Sequence, residues 1–527
     1  MFLVSYEFVL FFAAVLVLYY GVAGRFQWIV LLLSSYLFYA QGGIGYLFYP
    51  VFTTVTTWFL AGAIGSMSRK SKAWIKENNP GREEKKEHNR LVKRSQRRIM
   101  VLGLVLNFGI LAVLKYFNFL LENVNIFLHG AGAEGEFVFV NWLLPLGISY
   151  YTFQSMGYLI DVYYRKYEPE KNLARFALFV SFFPQLVAGP ISRFEQLKDS
   201  LYANHRLQLR NIRLGAERML WGYFKKLVIA DRLGPAVSVI IGDPQTYDGI
   251  YVFLGMVGYT LWMYADFAGG IDIVLGAARM LDISLPENFD RPFLSKSLGE
   301  FWRRWHMTLM LWLREYIFFP VSTSRLAKSG SKLAGIVSGK KAAGRIPVYM
   351  ATLTVWFVAG IWHGASWKFA AWGMMNGAVL LISQELTPWY RNFHDAHGFV
   401  KTRMYSWFQI VRTFLLFACL EMFEYYSFGR VFFMLRSLVC SSSLSQLGDG
   451  RFEALGLKGA DLLVLGAGIF AMAGSGFFKD QKSAGEWMEK RPVFARYGLI
   501  FGMFLLVLVT GVYGRGYDAS QFIYNQF

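Results

Sequence analysis

Cysteine is nearly absent. Cys419 and Cys440 are the two in 527 residues, with no CxxC spacing. A disulfide framework is thereby excluded, no thiolate metal signal exists, and as free thiols in apolar surroundings both read as inert packing. Charge is scarce as well, at 17% of residues, where soluble domains carry about 25%. Several catalytic signatures are missing too: no glycine loop ending in GK[ST], no GxSxG elbow and no HExxH helix. Without a phosphate loop, ATP-driven transport has nothing to run on. His306 and His363 as joint metal ligands lack an evident third partner, so no metal and no bound cofactor is expected.

What fills the chain instead is apolar and aromatic: 55% hydrophobic, 18% aromatic, with mean hydropathy +0.34. Several runs reach the roughly 20 residues that a bilayer core requires. An all-α polytopic membrane protein follows, with about ten to twelve spans plus re-entrant and interfacial segments. The net charge of +19 sits in short stretches between apolar runs. That is the pattern that orients loops toward the cytoplasm, and it argues against nucleic acid as a partner.

The first run, Val4–Gly21, carries Glu7 and has neither a basic leader nor a small-residue cleavage site, so it is expected to be a retained span. Phe26–Ala40 is short for a span, and Gln41-Gly42-Gly43 separates it from Ile44–Ile64. Ser66–Arg98 is expected to be a basic cytoplasmic loop, which puts the N-terminus outside. After the span Ile99–Leu121, the glycine-rich stretch through Gly130 to Glu136 suits an outside loop, and the run from Trp142 to Tyr164 returns. Ala174–Ile191, interrupted at Pro184 and Gly189-Pro190, reads as broken or re-entrant. The basic, amphipathic Ser192–Gly234 reads as a helix lying in the cytoplasmic interface among lipid headgroups. Tyr251–Leu281 is apolar but carries Asp266 and Asp272, and a basic loop is expected at Arg325–Arg345. Pro347–Ile361 and Trp367–Ile382 abut at Trp362-His363-Gly364, and a further span covers Trp407–Phe423. No internal repeat argues for a transporter's inverted halves. Residues 1–527 are read as one integral membrane domain, with 301–364 as its core motif region.

Phe301–Pro320 concentrates three tryptophans, three arginines and a histidine at helical spacing. On one helix, Trp302, His306, Leu309, Leu313 and Tyr316 share a face and Arg303, Met307, Met310 and Arg314 another. Ionisable groups in such apolar sequence are costly and usually functional. His88, His129, His205, His394 and His397 lie in polar stretches and are expected to be solvated; His306 and His363 alone are embedded in apolar-aromatic sequence. A buried histidine is often a satisfied core residue. It also suits acyl transfer, because a pKa of about 6.5 lets it take a proton from a hydroxyl and return it to a thiolate. Arg303, Arg304 and Arg314 are candidates to stabilise an oxyanion or hold a phosphate-bearing donor, or else anchor to headgroups and helix ends. Asp266 and Asp272 read as polar partners for His306 or an arginine, or as structural ion pairs, the preferred reading.

Several stretches in series resemble the membrane-bound O-acyltransferase superfamily, in its bacterial alginate O-acetylation branch. They are Leu144–Gln154, Phe182–Pro190, Tyr264–Gly269, Asn288-Phe289, Glu300–His306, Trp362-His363-Gly364 and the ending Phe522–Phe527. The resemblance implies a ring-like helical bundle, thin at its centre, with a funnel from the cytoplasm meeting an outer cavity at the histidines. It implies that His363 is catalytic and His306 a second tunnel residue. Trp302, Trp305 and Trp362 then wall the channel, and Arg303, Arg304, Arg314 and Asp266 are further candidates to line it or bind substrate. An acetyl group from cytoplasmic acetyl-CoA is expected to reach a hydroxyl of a cell-surface polysaccharide. An extracytoplasmic acetyltransferase often completes delivery in that branch. The implied setting is the bacterial cytoplasmic membrane and its lipid.

The sequence departs from the branch at Thr308, at Glu315 within Arg314-Glu315-Tyr316, and at Val321-Ser322-Thr323 after Pro320. D-alanyl transfer to teichoic acid is a rival within the class. A proton-coupled exporter using the histidines as a relay, and a structural scaffold for a polysaccharide synthase, are rivals outside it.

Overall fold

A computed structural model describes residues 2–132, 136–140, 145–186, 189–476, 488–514 and 517–518, and every regular element among them is helical. Residues 133–135 of the expected outside loop, 142–144 of the run and motif that follow it, 187–188 of the second motif and the 522–527 ending lie outside the described residues. The chain divides into two compact units, Met1–Ala216 with Val274–Pro286, and Glu217–Ile273 with Glu287–Phe527.

Six described helices are long and apolar enough to cross a membrane: Ile44–Asn78, Arg82–Gly130, Ile250–Met280, Gly339–His363, Arg403–Tyr425 and Val493–Thr510. Tyr6–Gly21 and Gly459–Ser475 are shorter and apolar. The chain is a multi-pass membrane protein. Its apolar runs outnumber its long helices because some are short or broken. Phe26–Ala40 yields the 14-residue helix Gln27–Ala40, and the stretch around Pro184 splits at Phe182 into Leu173–Ser181 and Phe183–Leu186.

In the first unit, Gly43 at φ 130° ends one helical run before the next begins. Gly147, at φ 68°, packs so closely that a Cβ there would lie 1.8 Å from the Leu186 carbonyl oxygen. Ser66–Arg98 is not a loop. It forms the facing ends of the helices Phe48–Asn78 and Arg82–Gly130, joined by a turn with Asn79 at φ 41°. Lysine, arginine and glutamate are strong helix formers. The pair is tied by Gln96, which donates to the Ile64 carbonyl and Ser68 Oγ at 3.0 and 2.7 Å, and by His88 stacked on Trp74 at 4.1 Å. His205 also departs from expectation: its ring is buried, with Nδ1 2.9 Å from Asp282 Oδ2 and Nε2 2.6 Å from the Ser200 carbonyl.

In the second unit the C-terminal end of the expected interfacial stretch Ser192–Gly234 is corrected. Lys225 and Lys226 lie in a π-helical stretch, Phe224–Ala230, and are 3% and 0% exposed. They point at carboxylates instead of headgroups. Lys226 Nζ lies 2.6 Å from Asp266 and 2.7 Å from Asp231. Lys225 Nζ lies 2.6 Å from Asp272, which Arg218 also grips at 3.0 Å. Glycine permits the approach, since a Cβ on Gly222 would meet the Gly269 carbonyl oxygen at 2.6 Å. The expected basic loop at Arg325–Arg345 is helical as well, part of Arg325–His363 with a kink at Gly339.

Candidate active site

The Trp-His-Gly junction is where one helix ends and another turns back. Arg325–His363 stops at His363, Gly364 is extended, and Trp367–Glu385 begins. Three glycines let the two pack backbone against backbone. A Cβ on Gly373 would lie 2.1 Å from the Trp356 carbonyl oxygen, one on Gly360 2.3 Å from that of Phe369, and one on Gly364 2.1 Å from the Phe369 ring. The tight hairpin fixes His363 at its tip and buries it.

Phe301–Pro320 is not one helix. Leu298–Arg304 stops, Trp305 is extended, and His306 sits in the left-handed region at φ 44°, ψ 49° before Met307–Leu313. Such a conformation is uncommon for a non-glycine residue and persists only where the surroundings hold it. Asn288 supplies the hold. Its side-chain oxygen accepts from Thr308 N–H at 3.2 Å and from Thr308 Oγ1 at 2.8 Å. Its backbone carbonyl accepts from Met307 N–H at 2.9 Å. His306 Nδ1 lies 3.1 Å from the same side-chain oxygen. The Thr308 amide can only donate, so that atom is an acceptor, His306 donates from Nδ1, and neutral His306 presents Nε2 as an acceptor. His306 lies outside the candidate spans; burial first, and the nearby His363 second, hold its imidazole well below the usual range.

The Trp362 indole lies against both imidazoles, at 5.8 Å from His306 and 5.1 Å from His363. Trp302 is buried and donates from Nε1 to Asn376 Oδ1 at 3.2 Å. Trp305 is buried among Phe289, Phe301 and Phe417. The remaining candidates go elsewhere. Arg303 and Arg314 are exposed, and Arg304 pairs with Glu300 at 2.6 Å. Asp266 faces Lys226, the structural ion pair preferred from the sequence.

Two residues escaped the sequence reading, Glu421 and Glu424, both buried near the end of Arg403–Tyr425. His363 Nδ1 lies 3.3 Å from Glu424 Oε1, and Tyr259 donates its hydroxyl to Glu424 Oε2 at 2.9 Å. Trp372, whose ring is 4.6 Å from that of His363, donates from Nε1 to Glu421 Oε1 at 3.0 Å. The signal was present: two carboxylates three residues apart in an apolar run are as anomalous as the histidines. Among the described residues no cluster of three or more His, Cys, Asp or Glu is arranged to hold a metal ion.

The profile of the membrane-bound O-acyltransferase family matches residues 46–335, a range that includes His306 and ends before His363. A probable alginate O-acetylase of Azotobacter vinelandii is 33% identical over 375 residues, which is 70% of this chain and 66% of the relative. A peptidoglycan O-acetyltransferase of Helicobacter pylori is 30% identical over 336 residues, 58% of each chain. A teichoic acid D-alanyltransferase of Streptococcus thermophilus is 28% identical over 45% of this chain and 56% of the relative. The match to the first relative spans slightly less than two thirds of that protein's length.

Proposed function

This chain belongs to the membrane-bound O-acyltransferase family, and from that premise we propose that it moves an acetyl group from cytoplasmic acetyl-CoA to a hydroxyl of a cell-surface polysaccharide, directly or through an extracytoplasmic acetyltransferase. The observation that carries the reading is the buried pair His306 and His363, both against Trp362, with Glu424 beside His363. The similarity to alginate O-acetylases and to a peptidoglycan O-acetyltransferase supports acetyl and a carbohydrate acceptor.

His363 acts as base. Its imidazole takes the proton of the acceptor hydroxyl as that oxygen attacks the thioester carbonyl carbon. The tetrahedral intermediate collapses, the carbon–sulfur bond breaks, and the same proton returns to the thiolate leaving group. His306, neutral and with Nδ1 committed to Asn288, accepts a hydrogen bond at Nε2 from the hydroxyl it positions. Trp302, Trp305 and Trp362 wall the path and exclude water, which otherwise competes for the acyl group. The 66–98 helical ends lie on the cytoplasmic side, in keeping with their basic residues.

The test supplies labelled acetyl-CoA to membranes carrying the protein and follows label into polysaccharide. His363→Ala, inserted and folded, is expected to lose on the order of 100- to 10,000-fold in rate, the usual worth of a general base. Wild-type transfer by that variant overturns the assignment. Transfer only from an aminoacyl carrier-protein thioester would move the chemistry to D-alanylation.

A further inference from the structure

We infer that Glu424 is the positioning residue of His363, and that Tyr259 sets which way Glu424 works. The inference rests on the acyl-transfer reading above and deepens it at His363.

A neutral imidazole has one N–H and one lone pair, and it acts as a base only at the nitrogen without the proton. Glu424 Oε1 stands 3.3 Å from His363 Nδ1. A carboxylate oxygen there accepts and cannot donate, so it holds the proton on Nδ1 and leaves Nε2 to receive one from substrate. The distance is long for a finished hydrogen bond, as such bonds often are before substrate closes the site. Glu424 is itself held. Its other oxygen accepts the Tyr259 hydroxyl from Ile250–Met280 at 2.9 Å. The ring position is held separately by Trp372, which lies against the imidazole and is anchored on Glu421. The charged and titratable groups around this arrangement are His306 against Trp362, Glu421, which hydrogen-bonds Glu424 as well as Trp372, and Tyr425 and Lys368, which act electrostatically on Glu424. Glu424 accepts from Tyr259, lies beside His363, and shares a side-chain hydrogen bond with Glu421.

The asymmetry yields a test that a merely structural glutamate would fail. In Glu424→Gln, the Tyr259 hydroxyl keeps donating to the amide oxygen, which turns the amide NH2 toward His363. Nδ1 must then accept, the proton moves to Nε2, and the base is disabled without loss of shape. Removing the Tyr259 hydroxyl as well frees the amide to flip and offer its oxygen to Nδ1. The order of activity is therefore wild type, then Tyr259→Phe/Glu424→Gln, then Glu424→Gln, the double variant being faster than the single.

The experiment uses full-length protein in detergent or nanodiscs. Turnover of labelled acetyl-CoA is measured alongside 15N NMR of histidine-labelled protein, with the His363 signal identified by its loss in His363→Ala. The expected result is protonated Nδ1 in wild type and protonated Nε2 in Glu424→Gln. The single variant should lose on the order of 100-fold in kcat, the scale of a misplaced reacting group, with KM for the donor little changed. The double variant should recover part of that loss. An unchanged tautomer in Glu424→Gln overturns the proposal, as does a double variant slower than the single. If Glu424→Gln does not fold, Tyr259→Phe alone decides: its His363 signal must retain protonated Nδ1, and protonated Nε2 overturns the proposal. The tautomer is read without donor or acceptor, so it stands if the acetyl reading fails, and transfer without a tautomer change sinks this inference alone.

Discussion

Asp231, Asp266 and Asp272 are buried against Lys226, Lys225 and Arg218. Glu421 and Glu424, equally buried in the same unit, meet an indole, a phenol and an imidazole. In the first cluster ammonium and guanidinium groups face the carboxylates directly, with the Tyr517 hydroxyl also donating to Asp231, whose carboxyl burial pushes up to about 6. In the second, the groups facing the carboxylates are neutral or titratable, so protons can be reassigned among them. Burial alone therefore does not mark a functional site in this chain, because both clusters have it. What separates them is whether a lysine or arginine is in direct contact with the carboxylates.

The sharpest way to break the comparison is to remove one charge from each cluster. Lys226→Met leaves Asp266 buried without its ammonium and is expected to cost about 3–5 kcal/mol, the usual penalty for stranding a buried charge. Thermal unfolding in detergent would read it, and Asp266→Leu added to Lys226→Met should restore part of the loss. Glu424→Gln should melt near wild type while failing in turnover. A Lys226→Met protein as stable as wild type would erase the distinction.

A smaller effect is expected where the second cluster depends on backbone geometry. Asn288→Ala removes the acceptor for the Thr308 amide and hydroxyl and for His306 Nδ1. The cost should be about 1–3 kcal/mol for the stranded donors. Transfer activity should fall further than the shift in melting temperature explains, because His306 loses both its left-handed turn and its tautomer. Equal activity per folded molecule would mean that His306 needs no such pin.

The membrane class, the broken segment near Pro184 and the hairpin at Trp362-His363-Gly364 were legible because glycine, proline and apolar length act locally. Much of the remainder was set by partners remote in sequence. Lys225 and Lys226 sit on an amphipathic stretch that looks the same whether it faces headgroups or carboxylates, and Asp266 and Asp272 lie some 40 residues away. His205 likewise reads as a loop histidine until Asp282 is placed beside it. The break at His306 was hidden because Trp302, His306 and Leu309 keep helical spacing on either side of it. The cause of the break, Asn288, is 18 residues upstream. Ser66–Arg98 was read by charge, which reports on sidedness, and its helicity follows from propensities that charge conceals.

The smallest expected effect lies at the rim of the first cluster. Arg218 grips Asp272 on one side and Glu287 on the other, with both contacts to Glu287 at 2.6 Å, yet the Glu287 side chain is 48% exposed and that of Asp272 only 6%. Solvent screens the outer pair, so Glu287→Gln should cost about 0–1 kcal/mol despite its geometry. The difference from wild type should shrink further as salt is raised. Lys226→Met should show no such salt dependence, because ions do not reach a buried pair. Melting both variants across a salt series therefore separates exposed from buried partners within one network. If Glu287→Gln proved as damaging as Lys226→Met, the paired charges would form one cooperative unit reaching to the surface, and exposure would not divide its rim from its core.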